Sequence, residues 1–130
     1  IFEDIKDSTI YGLNWIEFKV GTKFCGYEIV VYVLLNGEKE VLSIYNRLNF
    51  EEVLSKYITL CDYYKNVCLS KISVEYQGEE NEDLIVDTSE LGIFNKNFKD
   101  NKIVKIFDYK TESTVTINTD NVNQYTINEV

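Results

Sequence analysis

The densest run of chemically capable side chains lies in residues 75–90. Glu75, Glu79, Glu80, Glu82, Asp83, Asp87 and Glu90 occur there without one basic residue. Carboxylates grouped this way can keep a loop solvated, ligate a hard cation, or meet a cationic surface. The calcium reading fails on spacing: D-x-[DN]-x-[DN]-G is absent from this run and from Asn118-Thr119-Asp120. Solvation is the ordinary role of a charge run. Docking on a basic partner is the functional one, and it selects Glu79, Glu80, Glu82, Asp83 and Asp87 as candidate binding residues.

Aromatic side chains form the second stock. Ten tyrosines, seven phenylalanines and Trp15 are present. Aromatic residues interleaved with bases stack on single-stranded nucleic acid. Here the bases are missing: 13 Lys and Arg against 22 Asp and Glu leave a net charge of −9, which repels phosphate. Direct nucleic-acid binding is therefore not expected. Tyrosine and tryptophan are also enriched at protein interfaces, so Tyr63, Tyr32, Tyr45 and Trp15 are candidate contact residues wherever they reach the surface.

What the chain lacks excludes more than these groups supply. There is no histidine, proline, methionine or alanine, and Arg47 is the single arginine. Without histidine, Ser-His-Asp and Cys-His catalysis and HExxH zinc chemistry cannot be built from this chain. The six glycines stand singly, so neither GxxxxGK[ST] nor GxGxxG occurs. Cys25, Cys61 and Cys68 form no CxxC pair and make a poor zinc set. On a helix running that far, Cys61 and Cys68 would lie ~10 Å apart, beyond disulfide reach. Three reduced, mostly buried thiols are the expectation. No catalytic residue, metal or cofactor is assigned, and an enzyme is not expected.

These groups must be carried by elements that the pattern also predicts. With 130 residues the chain is read as a single domain over 1–130, residues 1–7 being a frayed lead-in. Ile16, Phe18 and Val20 alternate as a half-buried strand. Two apolar runs flank Asn36-Gly37, the signature of a type I′ hairpin. A two-residue loop sets Leu35 against Glu38, Val33 against Glu40, Val31 against Leu42 and Ile29 against Ile44. Tyr45 and Tyr32 then fall on the opposite face.

Asn49 with Glu52 forms a capping box, opening a helix over about residues 50–66. Its apolar stripe (Phe50, Val53, Leu54, Tyr57, Ile58, Cys61, Tyr64 and Cys68) should cover the Ile29/Val31/Leu42/Ile44 face, leaving Tyr63 on the polar side. Further strands are expected at 72–76, 84–86 and 124–128, with a hairpin at 103–119. Residues 78–83 read as an acidic loop and 94–102 as a polar turn. Strands, one helix, then strands, without βαβ alternation, predicts an α+β fold: a mostly antiparallel sheet with one main helix on one face.

Abundant Asn, Ile and Lys beside absent Ala and Pro match the codon bias of an AT-rich genome, such as a low-GC bacterium or its phages. Neither a signal peptide nor an apolar membrane span is legible, so a cytoplasmic, membrane-free protein is expected. The function expected is that of a small acidic binding protein, a stoichiometric inhibitor of a basic protein partner such as a nuclease. Phage counter-defence and toxin-immunity proteins have this profile. The competing readings are a structural or assembly domain of a larger phage or cell-surface protein, and a small-ligand binder for nucleotides.

Overall fold

The computed structural model describes residues 8–13, 15–23 and 25–128; the lead-in expected at 1–7 lies outside them. The chain divides into two compact units, Ile1–Val67 and Cys68–Val130. Both are built of antiparallel strands with one α-helix each, an α+β fold.

In the first unit, β1 (Ser8–Leu13), β2 (Ile16–Lys23), β3 (Gly26–Leu35) and β4 (Glu38–Leu48) follow one another across a four-stranded sheet. Alternation puts Ile16, Phe18 and Val20 opposite Val33, Val31 and Ile29, and all six side chains are fully buried. Asn36 and Gly37 take the positive φ angles, 51° and 80°, that a type I′ turn requires. Leu35↔Glu38 and Val33↔Glu40 pair as the turn dictates.

The register then slips. Tyr32 faces Val41 but Val31 faces Ser43, so Leu42 is the extra residue of a β-bulge. From there Ile29 opposes Tyr45, not Ile44. A one-residue slip exchanges faces: Ile44 is 56% exposed, while the Lys56 ammonium sits 4.5 Å from the centre of the Tyr45 ring. At Gly26, where β3 begins, φ is +130° and an added Cβ would stand 2.6 Å from the Leu48 carbonyl oxygen.

Helix α1 (Phe50–Tyr64) starts as its sequence dictates. The Glu52 amide donates to Asn49 Oδ1 at 2.8 Å, and the Asn49 amide donates to Glu52 Oε1 at 3.0 Å. The helix packs along one side of the expected stripe, Val53, Tyr57 and Tyr64, with Leu60 added to it. Val53, Leu60 and Tyr64 are buried, and the rings of Tyr57 and Tyr64 stand about 6 Å from Phe18. At ~100° per residue these four span an arc of about 60°, while Phe50, Leu54, Ile58 and Cys61 occupy the adjoining ~80°. Both arcs are apolar. The first packs into the sheet, while the second touches it where the Phe50 ring meets Tyr27 edge-on at 6.2 Å, leaving Phe50 37% and Ile58 59% exposed.

The second unit comprises β5 (Leu69–Tyr76), β6 (Glu82–Asp87), a 3₁₀ turn (Thr88–Glu90), α2 (Leu91–Asp100), β7 (Ile103–Asp108), β8 (Ser113–Asn118), a second 3₁₀ turn (Thr119–Asn121) and β9 (Val122–Asn128). The order β6-β5-β9 makes one sheet, and β7-β8 forms the hairpin expected. They share one core with α2, built on Ile72, Val74, Leu84, Val86, Leu91, Phe94, Val104, Ile106 and Ile117.

Helix α2 corrects the polar turn expected at 94–102. Its sequence is a poor helix former, rich in Asn with Gly92 near its start, and no side chain caps it. Tertiary contact holds it: Phe94 is buried, and Phe94 and Phe98 stack 5.2 and 4.5 Å from the Tyr125 ring. The Tyr125 hydroxyl donates to Asn95 Oδ1 at 2.7 Å.

All three cysteines are unbridged. The helix ends at Tyr64, short of the predicted 66, so Cys68 is not on it. Cys25 and Cys68 are exposed and Cys61 is half-buried, against the expectation of mostly buried thiols.

Candidate functional site

Strand β5 hands the chain to β6 through a short loop that begins at Gln77, with Gly78 at φ 72°. The Gln77 amide donates to the Asn121 carbonyl at 2.8 Å, tying this loop to the second 3₁₀ turn. In that turn Asn118 Oδ1 accepts the Asp120 amide at 3.1 Å. Between loop and turn opens a cleft of about 430 Å³, walled by Tyr76, Glu79 and Glu82 on one side and by Thr116, Asn118 and Asn121 on the other. Among the described residues neither Lys nor Arg lines it.

Tyr76 is the fixed point of the cleft. Its hydroxyl donates to Glu82 Oε1 at 2.8 Å. Burial first, then the Glu82 carboxylate, then that of Glu79, hold the phenol well above its ordinary range, because a phenolate would add negative charge to a site already rich in it. Carboxylates and amide groups in a concave, base-free site favour cations and hydrogen-bond donors. Lysine or arginine side chains of a partner have that chemistry.

The five acidic candidates therefore separate. Glu79 and Glu82 line the cleft, with Glu82 on strand β6 and not in the loop expected. Glu80 is exposed beside them. Asp83 points at Lys71 on the neighbouring strand, 3.5 Å away. Asp87 accepts the amide and hydroxyl of Ser89, both at 2.9 Å, and so caps the first 3₁₀ turn.

The tyrosine candidates lie in the first unit. Tyr63 is 45% exposed and meets the Tyr64 ring edge-on at 4.7 Å. Tyr45 is half-buried beneath Lys56. Tyr32 is 2% exposed, with the Lys39 ammonium 4.7 Å from its ring centre, so it offers no surface. Burial, and then the carboxylate of its register partner Glu17, push its hydroxyl up to about 12. Trp15 is 63% exposed at φ 66°.

Two features escaped the sequence reading. Tyr76 and the Asn118/Asn121 pair complete the cleft, and only strand pairing brings residues so far apart in the chain together. On α1 the unburied row forms an apolar hollow of about 330 Å³ between Phe50, Leu54 and Ile58, rimmed by Glu51, Ser55 and Thr59.

Among the described residues no three His, Cys, Asp or Glu side chains converge as metal ligands. None of the described helices is long and apolar enough to cross a membrane. No protein-family model matches this chain, and no curated protein or solved structure does.

Proposed function

We propose that this chain is a non-enzymatic binding protein of the cytoplasm that inhibits a basic macromolecular partner stoichiometrically, engaging it through the Glu79/Glu82 cleft and the adjoining Glu80. A nuclease is the partner class that fits best, because a groove built for phosphates is lined with lysine and arginine. The observation that carries this reading is the concave, base-free cleft itself, in a chain of net charge −9. Like-signed charges around a cleft focus the field and raise the rate at which an oppositely charged surface is met.

A nucleotide ligand is the second reading, and the cleft volume lies in the usual range for small-molecule sites. The lining argues against it, since a phosphate would face Glu79 and Glu82 with no cation to balance it.

Fluorescence anisotropy with a labelled arginine-rich peptide, with inhibition assays against a panel of nucleases, tests the proposal. The native chain should bind the peptide with affinity that falls as salt rises. Glu79→Lys with Glu80→Lys should weaken binding by more than about tenfold and flatten the salt dependence. Asp87→Lys, which lies at a cap and not in the cleft, should not. Equal binding by the cleft double variant ends the proposal, and so does turnover of any substrate by the purified, metal-stripped chain.

A further inference from the structure

The geometry points to β9 as the strand through which two copies of this chain pair. One side of β9 holds β5, in register from Lys71↔Asn128 to Tyr76↔Val122, and no described strand lies along its other side. The main-chain groups on that side are a template for another strand, and proteins ordinarily blunt such edges with charge, proline or bulges.

The edge strand β4 is blunted: it carries Glu38, Lys39, Glu40 and Arg47 and is bulged twice. Strand β6 carries Glu82, Asp83 and Asp87, and its Ile85 is tied to β7 through the Tyr109 amide and the Asp108 carboxylate. Strand β8 is uncharged, but Thr116 and Asn118 on it wall the cleft. The edge strand β1 is uncharged too, but Gly12 interrupts it and weakens it as a pairing segment. Strand β9 has neither charge nor glycine, in a chain where charged residues make up 27%. Its single irregularity, at Asn123, leaves Gln124 to Asn128 as an unbroken pairing segment.

That segment is complementary to itself. A two-fold axis at Thr126 sets Thr126 against Thr126, Tyr125 against Ile127 and Gln124 against Asn128 of the second copy. Threonine pairs and aromatic–β-branched pairs are among the favourable cross-strand neighbours. Tyr125 and Ile127 pack against the core of the unit, so this register would continue each apolar face into the other without setting like charges opposite one another. A contact in which the same patch meets itself closes at two copies. The occupant is therefore a second copy, and the product is a six-stranded sheet.

Sedimentation equilibrium of the full chain over a concentration series tests this. The native chain should reach twice 15.2 kDa. Thr126→Lys, which sets two ammonium groups together on the axis, should weaken the dimer about tenfold. Gln124→Lys with Asn128→Glu sets opposite charges together twice and should tighten it. Glu75 and Lys71, their register partners within the chain, favour the same two charges. Far-UV circular dichroism establishes that each variant is folded. A native chain that stays monomeric at every concentration overturns the inference, as does an oligomer that neither variant alters.

Discussion

The Tyr76 hydroxyl and the Glu82 carboxylate are joined at 2.8 Å where β5 and β6 meet the cleft. Both burial and the neighbouring carboxylates raise the phenol above its ordinary value of 10.0. A group whose folded value exceeds its unfolded value stabilises the fold fully below the unfolded value and loses that contribution as pH rises through the folded one. Burial alone raises Tyr125 in the same sense, and Tyr32 reaches about 12. Stability should therefore change little from these groups below about pH 10 and fall above it. Ultraviolet phenolate titration beside thermal melts checks the window. Tyr76→Phe should flatten the alkaline loss and, by removing a hydrogen bond to a carboxylate, cost about 1.5–3 kcal/mol at neutral pH.

Asp108 is expected to matter more than any surface acid. It is 2% exposed, accepts the amides of Ile85 at 3.0 Å and Lys110 at 3.1 Å, and takes the Thr111 hydroxyl at 2.9 Å. Asp108→Ala orphans a buried amide on β6, which costs about 1–3 kcal/mol. Asp108→Asn keeps an acceptor oxygen and should cost less. Urea denaturation of the three proteins ranks them.

The two apolar rows of α1 predict opposite outcomes for similar truncations. Leu60, 6% exposed, should lose about 2–5 kcal/mol on Leu60→Ala. Ile58, 59% exposed, should change by no more than about 0.5 kcal/mol on Ile58→Ala. Equal losses in chemical denaturation would mean that the helix turns its other row inward.

Acids that hold structure and acids that do not can be separated without knowing the partner. Asp87→Ala removes the cap of the 3₁₀ turn and should cost about 0.5–2 kcal/mol. Glu80→Ala, at an exposed position, should stay within about 0.5 kcal/mol of the native chain. Differential scanning calorimetry of both is sufficient.

Legibility in the sequence followed the range of the interaction. The Asn36-Gly37 turn and the Asn49/Glu52 box are set by neighbours within four residues, and both formed as read. The register beyond Leu42 was not legible. Simple alternation from the turn makes Ile44 a core residue, and nothing local marks the bulge that turns it out and brings Tyr45 in. Helix α2 was hidden for the converse reason, since Phe94, Phe98 and Tyr125 supply by contact what its asparagine-rich segment lacks in propensity. The acidic half of the cleft could be read because it is contiguous. Its amide half could not, because Asn118 and Asn121 reach Tyr76 only through β5–β9 pairing.

Gly26 places a limit on how far this chain can drift. Its φ angle of +130° and the Leu48 oxygen 2.6 Å from any Cβ act together, and the obstacle is main chain that no rotamer change can clear. Codon saturation at that position should return glycine alone among folded survivors, whereas Gly92, with open space where its Cβ would go, should tolerate many replacements. Divergent descendants of this molecule could thus shed most of their recognisable text and still keep that one letter.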